Sequence, residues 1–308
     1  MNTIRTILSY TLWPFFLVAT LASLKYLWDS GVDPELATFY VYVGFFVVLL
    51  ITEHLLPYKK AWLKNIDGQT PIDLTLTLLY FIVTSLAIVV VLHVLVWLID
   101  NYQALVSLNV WPTEWPLWAQ IVLGIIITDF GNNLAHHMSH EIPVLWRFHS
   151  VHHSAPRITV INTGRFHPVD VIQSLIVGTP IPFFLGAPQE VILWYAAINA
   201  YLGIMTHSNI DFKCSIFNYI FNTPNVHRWH HSRIISEGNN NYGEVTILWD
   251  RFFGTYFYPD PEGRNPPVNV GTATRVPKSF LGLLIKPVTL KGYAEDYETL
   301  SELPTDAE

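Results

Sequence analysis

The sequence predicts an all-α membrane protein, a transmembrane helix bundle with a cytoplasmic helical cap that carries a histidine-rich di-metal site. Three observations carry this. Hydrophobic residues make up 51% of the 308-residue chain and charged residues only 13%, a balance unusual for a soluble protein. Three long apolar runs follow one another from the N-terminus. Eleven of the thirteen histidines then fall between residues 136 and 231.

The runs Thr6 to Trp28, Thr38 to Leu56 and Leu74 to Ile99 are each long enough to cross a hydrocarbon core as a helix. Lys25 and Glu53 lie near span ends, where long polar side chains reach the interface. Arg5 followed by apolar sequence is how a signal peptide begins. The run continues through Trp28 without a small-residue cleavage site, so an uncleaved first span is expected. Buried helices of a soluble protein are the alternative, and three nearly uncharged runs in succession weigh against it.

A fourth apolar stretch, Leu117 to Thr128, is too short to cross alone. Helical pattern continues through Asp129, Asn132, Asn133 and His136, so one helix is expected to leave the membrane carrying the first histidine pair. From Val171 to Thr206 the chain is again apolar, interrupted by Pro180, Pro182, Gly186 and Pro188. This reads as a hairpin of two half-length helices over 171–206, either re-entrant or two short tilted spans. The expected organisation is membrane spans over 1–115, a histidine-rich catalytic region over 116–258 and a polar cytoplasmic tail over 259–308, acting as one unit.

Basic residues set the orientation. Arg5 precedes the first span and Lys59, Lys60 and Lys64 follow the second, whereas 29–37 and 100–116 hold no Lys or Arg. The histidine region carries Arg147, Arg157, Arg165, Lys213, Arg228, Arg233 and Arg251. Both termini and the histidines are therefore expected on the cytoplasmic side of a multi-pass protein, in a bacterial inner membrane or a eukaryotic endoplasmic reticulum membrane. The net charge of −7 comes partly from Glu295, Asp296, Glu298, Glu302, Asp306 and Glu308, read as a solvated end; no nucleic-acid partner is expected. Cys214 is the single cysteine, so no internal disulfide or Cys-x-x-Cys metal site exists, and any metal must rest on histidine or carboxylate.

Three patterns concentrate the histidines: His136-His137-Met138-Ser139-His140, His149-Ser150-Val151-His152-His153 and His227-Arg228-Trp229-His230-His231. Helix positions i, i+3 and i+4 share a face, so HxxxH offers two imidazoles to one point and HxxHH three. Neutral imidazole ligates iron, zinc, copper and nickel, and eight histidines exceed what one metal uses, which implies two. Zinc proteases would show HExxH and soluble di-iron bundles Glu-x-x-His; neither pattern is present. His207, at the end of the apolar hairpin, is a further candidate ligand. His167, in Arg165-Phe166-His167-Pro168, reads as ligand, proton relay or structural hydrogen bonder. Asp129, two turns before His136, either orients a ligating ring or is a capped acid at the interface. His137 faces away from His136 and His140, and His54 and His93 read as ordinary residues.

With these motifs in hand, the chain resembles the fatty acid hydroxylase / sterol desaturase superfamily of integral membrane non-haem di-iron enzymes. The likeness extends over Phe148 to Ser154, Thr163 to Pro168, His207-Ser208-Asn209, Thr223 to His231, Asn241-Tyr242-Gly243 and Trp249 to Thr255. It implies iron ligands at His136, His140, His149, His152, His153, His227, His230 and His231, with His207 a ninth. It also implies two iron ions as cofactor and O2 as co-substrate. The expected reaction is hydroxylation of a lipid or sterol-like substrate, with desaturation the alternative in the same family. Electrons would come from an external cytochrome b5-, ferredoxin- or reductase-type donor. Members often place Arg or Lys directly after the first histidine, where this chain has His137. The Asn241-Tyr242-Gly243 and Trp249-Asp250-Arg251 stretches lean towards the sterol desaturase and alkylglycerol monooxygenase branch. A histidine-rich metal transporter would need ionisable residues along its spans, and a membrane zinc hydrolase would need no oxygen.

Overall fold

The computed structural model describes residues 3–64, 67–106, 108–259, 267, 269–272 and 276–289. Among them the regular structure is helical, with isolated bridges at Pro57–Ile210, Phe221–Thr246 and Ser232–Val270 and no sheet. Four helices are long and apolar enough to cross a membrane: α1 (Thr3–Asp29), α2 (Pro34–Leu55), α3 (Thr70–Val106) and α4 (Leu117–Glu141). Their outward faces expose apolar side chains such as Phe15, Val18, Val47, Leu78, Ile82, Leu86 and Val90, as a chain solvated by lipid requires. The protein is a multi-pass membrane protein.

The remaining helices surround the polar end of α4. They are α5 (Pro143–His153), α6 (Pro168–Gly178), α7 (Pro180–Phe184), α8 (Gln189–Thr206), α9 (Pro224–His230), α10 (Ile235–Gly238), α11 (Leu248–Phe253) and α12 (Phe280–Thr289). Proline opens α5, α6 and α9, where its fixed φ suits the first helical turn and its missing N–H costs nothing. The expected 171–206 hairpin is resolved into α6, α7 and α8, with Gly186 at φ +88° in the turn. Both α6 and α8 pack on α4. The tail contains the apolar helix α12, whose Leu283 clusters with Leu76 and Val151; from residue 290 onward the tail lies outside the described residues.

The main core joins α1 and α2 to α8, through Trp13, Phe16, Leu24, Phe45 and Leu49 against Trp194, Ile198, Tyr201, Leu202 and Met205. On its other side α4 meets α6 at two glycines. A Cβ on Gly131 would come within 2.8 Å of Gly178 Cα, so only glycine lets these backbones approach this closely. The start of α3 is tied to the α5–α6 connection by charge: Asp73 accepts from Arg157 at 2.6 Å and also from Arg165, all three being buried. Hydrophobic packing thus holds the spans together, and a satisfied ion network fixes the segment between the second histidine motif and α6.

Candidate metal centre

Four segments deliver the histidines: the end of α4, the last turns of α5, the C-cap of α8 and the short α9 with its own C-cap. They converge in two groups. His136, His140, His149, His153 and His230 form one; His152, His207, His227 and His231 form the other, and within each the candidate ligand atoms lie within 4.8 Å of one another. All nine are buried except the half-buried His136. The groups adjoin, with His153 and His231 ring centroids 4.3 Å apart.

Neither HxxHH motif gives all three rings to one point. In α5, His149 and His153 enter the first group and His152 the second; in α9, His227 and the capping His231 enter the second and His230 the first. Residues i and i+4 lie about 40° apart around a helix, whereas i+3 and i+4 diverge by about 100°. At ligand distance from the axis, that divergence aims adjacent rings at different centres.

Hydrogen bonds fix the tautomer of four of the five rings in the first group. His136 Nδ1–H donates to Tyr242 O at 2.8 Å, His230 Nδ1–H to Asn240 O at 2.8 Å, and His149 Nδ1–H to Asp170 Oδ2 at 2.9 Å. His140 Nδ1–H donates to Asn239 Oδ1 at 3.2 Å, an amide oriented by its own bond to Glu141. Each Nε2 is then a bare lone pair. Those of His136 and His149 face each other at 3.1 Å, with no proton to share. His140 Nε2 and His230 Nε2 are buried without any hydrogen-bond partner. Such an arrangement is repulsive unless a cation sits between the nitrogens, and imidazole nitrogens around a metal suit iron, zinc or copper. In the second group His227 Nε2 lies 2.8 Å from His207 Nε2 and 3.0 Å from His231 Nε2. Burial pushes His230 down to about 3, against the opposing bond to Asn240. It likewise lowers His152, His153, His227 and His231, whose mutual proximity adds to the effect. Burial thus disfavours a proton on these five rings and favours their lone pairs as ligands. The residues fit a metal pair.

The other sequence candidates lie outside both groups. His167 caps α6, its Nδ1 accepting from Val169 N and its Nε2 donating to Leu284 O of α12. His137 stacks on Tyr242 at 4.5 Å. His54 and His93 bond carbonyls of their own helices. Asp129 meets no ring. Its two oxygens accept from Glu244 N, Val245 N and Thr246 N at 3.2, 3.0 and 2.8 Å, and from the Thr246 hydroxyl. Asp250 holds the same loop, accepting from Tyr242 N and Gly243 N. These two acids set the position of Tyr242 O, which in turn holds His136.

The carboxylate that does touch a ring is Asp170, near the start of α6. Its sequence signal is ambiguous, because an acid in the first turn of a helix is ordinarily read as a response to the helix dipole. Glu244, half-buried in the loop, accepts from Asn132 and Asn199. Burial pushes its carboxyl up to about 7, with Asp129 nearby adding to the shift.

Fold and site together define a class, a helical membrane protein with two adjoining all-histidine groups that could hold metal at the polar end of its spans. Residues 121–255 match the fatty acid hydroxylase family model. The chain is 38% identical to the ornithine lipid hydroxylase of Rhizobium tropici over 290 residues, covering 93% of this chain and 86% of that one. An alkylglycerol monooxygenase of Xenopus tropicalis is 28% identical over 73% of this chain, which spans about half (49%) of that relative's length. A probable Delta(7)-sterol 5(6)-desaturase of Neurospora crassa is 30% identical over 48% of this chain and 41% of its own. No solved structure matches. The chain belongs to the fatty acid hydroxylase family.

Proposed function

We propose that this protein is a di-iron oxygenase that uses O2 to hydroxylate a membrane lipid, with an ornithine-type aminolipid as its substrate. The observation that carries the reading is the set of nine histidines in two adjoining groups, four of whose Nε2 lone pairs are bared by fixed Nδ1–H bonds. The aminolipid follows from the similarity, over nearly the whole chain, to an ornithine lipid hydroxylase. Iron bound by the two groups would supply the O2-dependent oxidation of an unactivated C–H bond that no protein side chain provides.

The chain's own residues do the rest. His149 and Asp170 form a buried pair that keeps the ring's Nε2 unprotonated and makes it a stronger donor. Tyr242 O and Asn240 O fix the rotation of His136 and His230. A cleft lined by Trp146, Ser232, Arg233 and Asn239 reaches His140, His153 and His230 from the loop side, and we assign to that side the approach of an external electron donor of the cytochrome b5, ferredoxin or reductase type. The basic residues beside the spans support a cytoplasmic position for this side and for both termini.

The test combines metal analysis of purified protein with lipid profiling of cells with and without it. Iron in the protein and an oxygen-dependent gain of one oxygen atom on an aminolipid are expected, both lost in His152→Ala and His230→Ala while membrane insertion persists. Full activity in both variants, or turnover without oxygen, would refute the reading.

A further inference from the structure

The metal groups leave one set of polar side chains unused, and it converges on Glu244. Glu244 Oε2 accepts Nδ2–H bonds from Asn132 of α4 at 2.9 Å and from Asn199 of α8 at 3.2 Å. The Asn132 amide also bonds Tyr195 OH of α8 at 2.7 Å. Among the described residues Glu244 Oε1 takes no hydrogen bond, and neither does Asn199 Oδ1. Among the described residues no Lys or Arg pairs with Glu244. A half-buried carboxylate without a counter-ion is costly, and its free oxygen is open to a ligand. Spare acceptors and an uncompensated negative charge call for a cation rich in N–H donors, and a primary ammonium offers three such donors on a point charge.

The set lies beside the metal groups. Asn132 stands one turn before His136 on α4, and Asn199 two turns before His207 on α8, or about 6 Å and about 12 Å along the helices. On α8, Asn199, Gly203 and His207 follow at four-residue spacing and so form one stripe. The step between them is open, since a Cβ on Gly203 would meet nothing within 4 Å.

We propose that Glu244, with Asn132, Asn199 and Tyr195, is the binding site for the primary ammonium group of the lipid substrate. The site deepens the reading above and rests on it for the statement that the bound lipid is the one oxidised. A sterol or neutral ether lipid leaves Glu244 unpaired, so the carboxylate selects against such lipids as well as for the amine.

The test uses the full-length, iron-loaded protein in lipid nanodiscs, with two probes: ornithine lipid, and the same lipid with its free amine acetylated. Binding by native mass spectrometry and oxygen-dependent product are read separately, with iron content alongside. Wild type is expected to prefer the free amine about 10- to 100-fold, the range of a charge-assisted hydrogen bond. The isosteric Glu244→Gln should treat both lipids alike while keeping its iron, and Asn199→Ala should lose part of the preference. A Glu244→Gln protein that keeps the preference, or that binds neither lipid because it has lost its iron, overturns the proposal. Should that variant not fold, an undiminished preference in Asn199→Ala overturns it. Amine-dependent binding with no oxygen-dependent product sinks the oxygenase reading and leaves the ammonium site standing; ornithine lipid oxidation with the preference intact in both variants sinks the site alone.

Discussion

Replacing Asp170 by Asn tests how far the metal groups depend on a residue that is not itself among the candidate ligands. Asp170 Oδ2 lies 2.9 Å from His149 Nδ1, and both side chains are only 4% exposed. Asparagine keeps the shape and can still accept one hydrogen bond, but it removes the charge that strengthens the bond and makes the imidazole a better donor. Losing such a partner typically costs about 10- to 100-fold in metal affinity, or about 1.4 to 2.7 kcal/mol. The assay is competition with a graded series of chelators, iron being counted by elemental analysis after each step. In Asp170→Asn the iron held by the His149 group should leave at chelator strengths about 10- to 100-fold lower than in wild type. The His207 group should retain its iron, because Asp170 touches none of its rings. Wild-type iron retention in Asp170→Asn, or equal loss from both groups, would refute the role assigned to this carboxylate.

Two further outcomes follow from the acids around the 242–246 loop. Asp129→Asn leaves one oxygen and one amide where three backbone N–H groups and a hydroxyl now find acceptors. At about 1–3 kcal/mol for each donor left unpaired, the variant should unfold at clearly lower temperature and lose iron as Tyr242 O moves; an unchanged melting curve would count against this. Glu244, raised from 4.5 to about 7 in the folded chain without lipid, holds a proton there that the unfolded chain has released. Its contribution to stability is thus full below pH 4.5 and lost as pH rises through 7. Glu244→Gln should flatten that part of the pH–stability curve while Asp129, Asp170, Tyr80 and Tyr195 around it stay in place, and an identical curve for both proteins would contradict the shift.

Much of this centre was legible in the sequence. Histidines at i, i+3 and i+4 announce a metal-facing helix, and apolar runs of span length announce the helices that hold it. The nine residues singled out from spacing and resemblance are the nine that the fold gathers. What spacing could not say is which neighbour each ring meets, because that depends on how α4, α5, α8 and α9 are rotated against one another; the division of each HxxHH between two groups is therefore visible only in three dimensions. Asp129 and Asp170 show the same limit. The acid nearer to His136 in sequence holds the backbone of a loop more than a hundred residues away. The acid that touches a ring, Asp170, stands 21 residues after its partner His149, at a helix start where the helix dipole alone accounts for a negative charge. Glu244 gave no signal, since its partners come from α4 and α8 and only packing brings them together.

The division of each HxxHH has a mechanical consequence. Because α5 and α9 each feed both groups, neither can turn about its own axis to improve one set of nitrogens without pulling a ring out of the other. The two helices act like meshed gears, and occupancy of one group stiffens the scaffold of its neighbour. A metal in one group would thus lower the ordering cost of a metal in the other, while each keeps its own set of ligand rings and can still lose its metal separately.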